Sequence, residues 1–339
     1  MTAKVQRSGR GEAFTWALSW CRRLAVAALL AVTSGAAVAD GTIGATALAL
    51  DPRDPGRTAF GQAELLAAFV LSHDDDRFGG YSGLAVSPGG DRLTLVSDQG
   101  TWLELDLGHD PDGRIIGFGR TRFGALLDAA GEPLGYADAE ALAPLAAGGF
   151  AVSFERDPRI DLYPDGLAGP AGRRIGPAGF GPLASNGGLE ALVALPDGGF
   201  VALVEDPEPD GGHRGLAIAP DGAVRTFVYV TEPAFEPTDL AGLPSGDLLV
   251  LERKFNVIEG ANVRIVRLAA ADVRAGQGVT GSRVTGREVV RLAPPLATDN
   301  FEGLAVRPAP GGGVLVYLVS DDNFKPIQRT LVLQFRLGD

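Results

Sequence analysis

The stretch that decides the fold is Tyr81-Ser82-Gly83-Leu84-Ala85-Val86, the turn Gly89-Gly90-Asp91, and Leu93-Thr94-Leu95-Val96-Ser97-Asp98. It reads as an apolar residue, an oxygen-bearing residue, a small residue and Leu. A Gly turn follows, then an apolar strand ending in an acid. The same phrase returns four times, opening at Ala139-Glu140-Ala141-Leu142, Leu189-Glu190-Ala191-Leu192, Pro237-Thr238-Asp239-Leu240 and Phe301-Glu302-Gly303-Leu304. Each copy is a β-hairpin by its short apolar strands and its Gly/Asp turn. The Leu positions 84, 142, 192, 240 and 304 set a period of 48 to 64 residues.

Further β-like runs lie between the copies, at Gly215 to Ile218, Arg225 to Val230 and Val263 to Leu268. Helical patterns are scarce; Ala63 to Val70 and Ala269 to Arg274 could each form a turn or two. About four antiparallel strands per repeat of near 50 residues predicts an all-β chain folded as a β-propeller, with a β-sandwich as the competing class. Five units are explicit. Ile43 to Leu71, joined by Leu331 to Phe335, would add one more, so six blades are expected, with five the alternative.

A hairpin sets the start of its first strand beside the end of its second. The copies therefore predict two rows of residues on one face of the disc. The first row is Ser82, Glu140, Glu190, Thr238 and Glu302; the second is Asp98, Glu155, Glu205, Glu252 and Asp321. Eight carboxylates so arranged repel one another unless cations compensate them. Hard divalent ions do this with oxygen ligands, calcium taking six to eight. The predicted metal ligands are Asp98, Glu140, Glu155, Glu190, Glu205, Glu252, Asp299, Glu302, Asp321 and Asp322. Basic side chains are the other remedy, and Arg156, Arg253, Lys254, Lys325 and Arg329 flank the acids. With a metal, Arg and Lys also suit a phosphate or another anion. Glu190, Glu302, Arg253, Lys325 and Arg329 are the candidate catalytic set. Asp74-Asp75-Asp76 reads as a solvated turn.

The rest of the chain narrows the function. Its 339 residues carry a net charge of -12, are 45% hydrophobic and include Gly 48 and Pro 23 without a G-X-Y period, which excludes disorder and collagen. The N-terminus has Lys4, Arg7, Arg10, Arg22 and Arg23, an apolar run from Leu24 to Val32, and Ala37-Val38-Ala39-Asp40. That is a secretory signal peptide over residues 1–39, cleaved after Ala39, leaving residues 40–339 as one domain. Arg22-Arg23 leaves the Sec and Tat routes both open. The leader holds a net +4 against the -12 of the whole, so the mature chain carries -16, with Lys254 and Lys325 its lysines; the sole Cys, Cys21, leaves with the leader. An acidic, Cys-free chain lacks disulfides and a thiolate nucleophile, and lacks the basic face that nucleic acid requires. We expect a periplasmic or secreted monomer, free of the membrane after cleavage, binding a small ester or anionic ligand. No G-x-S-x-G, G-x-x-x-x-G-K-[ST] or H-E-x-x-H occurs, and His73, His109 and His213 fall in turn-like surroundings.

Several phrases resemble a known family, the exported bacterial phytase-like propeller proteins described as esterase-like activity of phytase. They are Gly80-Tyr81-Ser82-Gly83-Leu84 with Ser97-Asp98, Asp138-Ala139-Glu140 with Phe154-Glu155, and Asn186-Gly187-Gly188-Leu189-Glu190. Leu251-Glu252-Arg253, Asp299-Asn300-Phe301-Glu302-Gly303-Leu304 and Ser320-Asp321-Asp322-Asn323-Phe324 continue the set, which spans residues 78 to 337. The resemblance implies a propeller, export, and divalent-metal-dependent hydrolysis of phosphate or other esters, with calcium held by carboxylates around the channel. The competing reading is a non-catalytic propeller that binds a ligand or a partner protein.

Overall fold

The computed structural model describes residues 39–183, 187–209, 211–273 and 281–338. Apart from Ala39, the expected leader lies outside them.

Five antiparallel sheets follow one another along the chain. Blade I runs from its inner strand outward as Tyr81–Val86, Arg92–Ser97, Thr101–His109 and Ile115–Ala125, edged by Ala39–Thr42. Blade II is Ala139–Pro144, Phe150–Phe154, Arg159–Tyr163 and Arg174–Ile175. Blade III is Leu189–Ala194, Phe200–Pro207, His213–Ile218 and Val224–Val230, with Arg283–Thr285 added in parallel. Blade IV is Glu236–Gly242, Leu248–Asn256, Gly260–Leu268 and Arg287–Leu292. Blade V is Asn300–Pro308, Val314–Asp321, Thr330–Leu337, Ala63–Ser72 and Gly44–Ala47, with Ala59–Phe60 beside Ala63–Ser72.

Each repeat phrase supplies the inner hairpin of one blade. The inner strands pack side by side in order, and that of blade V meets that of blade I, so the ring closes at five. The expectation of six blades is thereby corrected. Ile43 to Leu71 and Leu331 to Phe335 do join the chain ends, but inside blade V. Thr330–Leu337 pairs with Ala63–Ser72 from Thr330↔Leu71 to Leu337↔Ala63. Ala63 to Val70 is thus strand rather than helix, while 270–273 forms the short helical turn expected there.

The core lies between blades. One apolar cluster fills each of the five junctions, such as Leu142, Phe154 and Trp102 between I and II, or Leu251, Ile265 and Leu318 between IV and V. Middle strands are covered on both faces, which is why Val314–Asp321 is buried throughout and reads as a continuous apolar run rather than an alternation. The small residue before each repeated Leu has a related cause. A Cβ at Gly83 would collide with the backbone of Ala141 and Leu142 in the next blade, and one at Gly303 with Leu84. Blade IV carries Asp239 there, and its carboxylate accepts from Leu304 N at 2.7 Å and Leu240 N at 2.8 Å, tying two inner strands together.

Candidate functional site

Every inner strand carries a register shift at the same point, where an extra residue opposes the second strand. It falls between Tyr81 and Gly83, at Glu140–Ala141 opposite Ser153, and between Leu189 and Ala191, Pro237 and Asp239, and Phe301 and Gly303. The bulged residues are the first row: Ser82, Glu140, Glu190, Thr238 and Glu302. A β-bulge locally turns the strand and re-aims its side chain, here at the channel mouth. The channel below is lined by Leu84, Leu142, Leu192, Leu240, Leu304 and their neighbours around a cavity of ≈ 190 Å³.

Register also defines the second row. Ser97, Phe154, Val204, Glu252 and Ser320 pair with the residue before each bulge. The next residues are Asp98, Glu155, Glu205, Arg253 and Asp321, so blade IV contributes Arg253 where Glu252 was expected. Glu252 is buried away from the mouth. It accepts hydrogen bonds from the Tyr229 hydroxyl and Arg264 Nε, and fully buried His213 lies close enough to affect its charge.

One step further along the first strands stand Asp138, Glu236 and Asn300, a third polar tier that the phrase alignment left out of the ligand set. Asp138, Glu140 and Glu155 can each bring one carboxylate oxygen within 4.8 Å of the others, as a shared cation requires. Asp138 adopts φ 52°; the resemblance phrase Asp138-Ala139-Glu140 contained it, but the two-row alignment did not carry it into the ligand set.

The electrostatics join these acids into one cluster. Burial, then Glu302, Asp138 and Glu155, push the Glu140 carboxyl well above the usual range. Glu190 is driven up by burial and then by Glu140, Glu205 and Glu302. Burial pushes Glu205 up to about 7, partly offset by Arg253. Burial and then Glu302 push Asp321 up to about 8. Asp98 and Glu155 are raised mainly by burial. Glu302 is also raised by burial, while Arg253, Asn300 and Ser82 favour its charged form.

Against these acids the mouth sets few cations. Arg253 lies among Glu205 at 3.5 Å, Glu302 at 3.7 Å and the Asn300 side-chain carbonyl, with its Nε buried and unbonded. Arg156 donates to Asp138 at 2.7 Å and stacks on Tyr136. Arg329 pairs with Asp299 at 3.3 Å, and Lys254 with Glu259 at 2.9 Å. Lys325 is exposed and has no carboxylate partner among the described residues. Asp322 accepts from Gly80 N, Phe324 N and the Thr330 hydroxyl, stitching blade V to blade I. Of the predicted residues, the structure therefore gathers Asp98, Glu140, Glu155, Glu190, Glu205, Arg253, Glu302 and Asp321. It sets Glu252, Asp299, Asp322, Lys325 and Arg329 outside that group. Asp74 to Asp76 forms the expected turn, in which Arg77 holds the Asp75 carboxyl down at about 2.

No curated protein matches the sequence. Among solved structures the chain is similar to a luciferin-regenerating enzyme (13% identity, TM-score 0.40, 77% of this chain and 95% of that one). It is also similar to a gluconolactonase from Xanthomonas campestris (17%, 0.40, 88% and 95%) and to virginiamycin B lyase from Staphylococcus aureus (10%, 0.41, 87% and 99%). A family model described as esterase-like activity of phytase matches residues 76–324, a span that contains all five inner hairpins and every acid of the mouth. The chain belongs to this phytase-like family.

Proposed function

We propose that the mouth is the active site of a divalent-metal-dependent hydrolase acting on a phosphate or carboxylic ester. The observation that carries this is the approach of Asp138, Glu140 and Glu155 within a ring of acids in which Arg253 is the inward-facing cation of the second row. The donor set fits the ion. All ligands are hard oxygens, their burial disfavours bare negative charge, and a cation would reverse that penalty. Asp138, Glu140 and Glu155 would hold it, and Glu190, Glu302 and Asp98 add negative charge around them; calcium suits such an all-carboxylate set.

Bound there, such an ion supplies Lewis acidity at the ester. The chain's own residues do the remaining work. Arg253 balances Glu205 and Glu302 and fixes both. Glu205 and Asp321, whose carboxyls burial pushes up to about 7 and about 8 in the metal-free protein, are the candidates to take a proton from water or return one to the leaving alcohol. We further propose that the chain is exported, loses residues 1–39, and works as a monomer on a small ester or anion.

Purified residues 40–339 should hydrolyse p-nitrophenyl phosphate, bis(p-nitrophenyl) phosphate or p-nitrophenyl acetate in a reaction that EDTA stops and calcium restores. Turnover insensitive to EDTA would refute the metal dependence. No turnover would favour a second reading, a cation-binding propeller without catalysis. One observation supports that alternative: Arg329 is engaged by Asp299 and Lys325 stands apart, so of the three cations expected to hold a phosphoryl group the described residues gather Arg253 alone.

A further inference from the structure

After Asp321, the blade V loop places two successive non-glycine residues in the left-handed region, Asn323 at φ 49° and Phe324 at φ 51°. Asn tolerates this conformation; a bulky aromatic rarely adopts it. The loop is held there by Asn323 N donating to Asp321 Oδ1 at 2.6 Å and Phe324 N to Asp322 Oδ1 at 3.0 Å. Core packing does not account for the residue, since Phe324 remains 43% exposed and burial returns only part of what its ring could gain. A glycine would relieve the backbone at little loss. Strain that the rest of a fold enforces at such a point is characteristic of ligand-contact positions.

The ring lies at the edge of the acidic mouth. A Cβ on Gly80 would collide with both the Phe324 ring and the Asp98 carboxylate, so the ring edge and that acid flank one point. Across the same acids stands Tyr136, 48% exposed, its ring under Arg156 at 4.4 Å and its hydroxyl beside Asp138. Asp98 and Asp138 are themselves joined, Asp138 N donating to Asp98 O at 2.9 Å. Two exposed rings thus bracket the blade I side of the acidic mouth. Strand direction puts Phe255, at the end of its strand, and Val257, Ile258 and Ile327, in loops, on this same face, while exposed Ile116 lies on the other.

We propose that Phe324 and Tyr136 form an aromatic lip that selects ligands with a flat apolar group attached to the anionic or ester centre, an aryl ester in preference to a methyl ester. This rests on the proposed hydrolase reading for its reaction, but not for its binding. The test measures two ratios in wild type and Phe324→Gly, with calcium present. One is kcat/KM for phenyl phosphate over methyl phosphate; the other is affinity for phenylphosphonate over methylphosphonate by calorimetry. The variant should lose roughly two- to tenfold of the phenyl preference, the range of one aromatic contact. Phe324→Tyr should restore it, which a merely structural role would not produce. Phe324→Asn, also tolerant of this φ, replaces the glycine variant if that fails to fold. If no ester turns over, the hydrolase reading fails while the phosphonate ratio still decides the lip. A preference unchanged in the variants, absent from wild type, or no phosphonate binding at all would overturn the proposal.

Discussion

Asp321→Asn should stabilise the metal-free protein, and do so more at higher pH. The wild-type carboxyl moves from its ordinary 3.8 to about 8 in the fold, with burial the main cause and Glu302 next. The folded state therefore keeps this proton to higher pH than the unfolded chain. As pH rises through 3.8 the unfolded chain ionises and is favoured, so the fold loses stability until the folded carboxyl ionises near 8. At roughly 1.4 kcal/mol per unit, the ceiling on that loss is about 6 kcal/mol at pH 8 and above, and about 2 kcal/mol at pH 5. Asn has no such charge and keeps an acceptor for Asn323 N, but it gives up the weak bond from Asn300 Nδ2 at 3.4 Å. Local relaxation reduces the ceiling further. We expect a gain of about 2 kcal/mol at pH 8 in EDTA, or roughly 3 °C in Tm for a chain of this size. The assay is thermal unfolding by circular dichroism from pH 5 to 9. A variant less stable than wild type at pH 8, or a difference that does not grow with pH, would refute the reasoning.

Three further expectations follow from named contacts. Calcium at a hundred times its Kd should stabilise the wild type by about 2.7 kcal/mol, and Asp138→Asn with Glu140→Gln should remove that increment; calorimetric scans with and without EDTA decide it, and an equal shift in the double variant would place the ion elsewhere. Arg253→Met strips the counter-charge from Glu205 and Glu302, so urea unfolding in EDTA should show a loss of about 3–5 kcal/mol, with calcium recovering part of it. Asp239→Ala leaves the amides of Leu304 and Leu240 unpaired and should cost about 2–4 kcal/mol, against half or less for Asp239→Asn, which keeps one acceptor; equal losses would show that the hydrogen bonds are not the cause.

The five hairpins were legible because each repeats a local pattern: bulge residue, small residue, Leu, Gly turn, apolar strand. Blade number was not, because strand partnership is non-local. Nothing within Ala63–Ser72 names Thr330–Leu337 as its partner, and counting that segment as a separate unit produced the sixth blade. The first row of the mouth was readable from spacing alone. The second failed at one position, since matching acid to acid selects Glu252, whereas hydrogen-bond register selects Arg253. A one-residue shift in a strand reverses the face it presents, and in this case it exchanges a mouth carboxylate for a guanidinium. Asp138 was missed for a similar reason: its reach into the site depends on a left-handed backbone that sequence spacing does not reveal.

Closure of blade V by strands distant in sequence makes Thr330–Leu337 the element that hides two sheet edges. Until Thr330–Leu337 is in place, Val314–Asp321 and Ala63–Ser72 each present an unsatisfied row of amides and carbonyls, and unpaired strands of this kind seek other chains. A polypeptide ending even ten residues early is then an incomplete ring with two adhesive edges rather than a slightly weaker propeller. Exposed edges of that kind favour pairing with other chains, so removal of Thr330–Leu337 should promote aggregation.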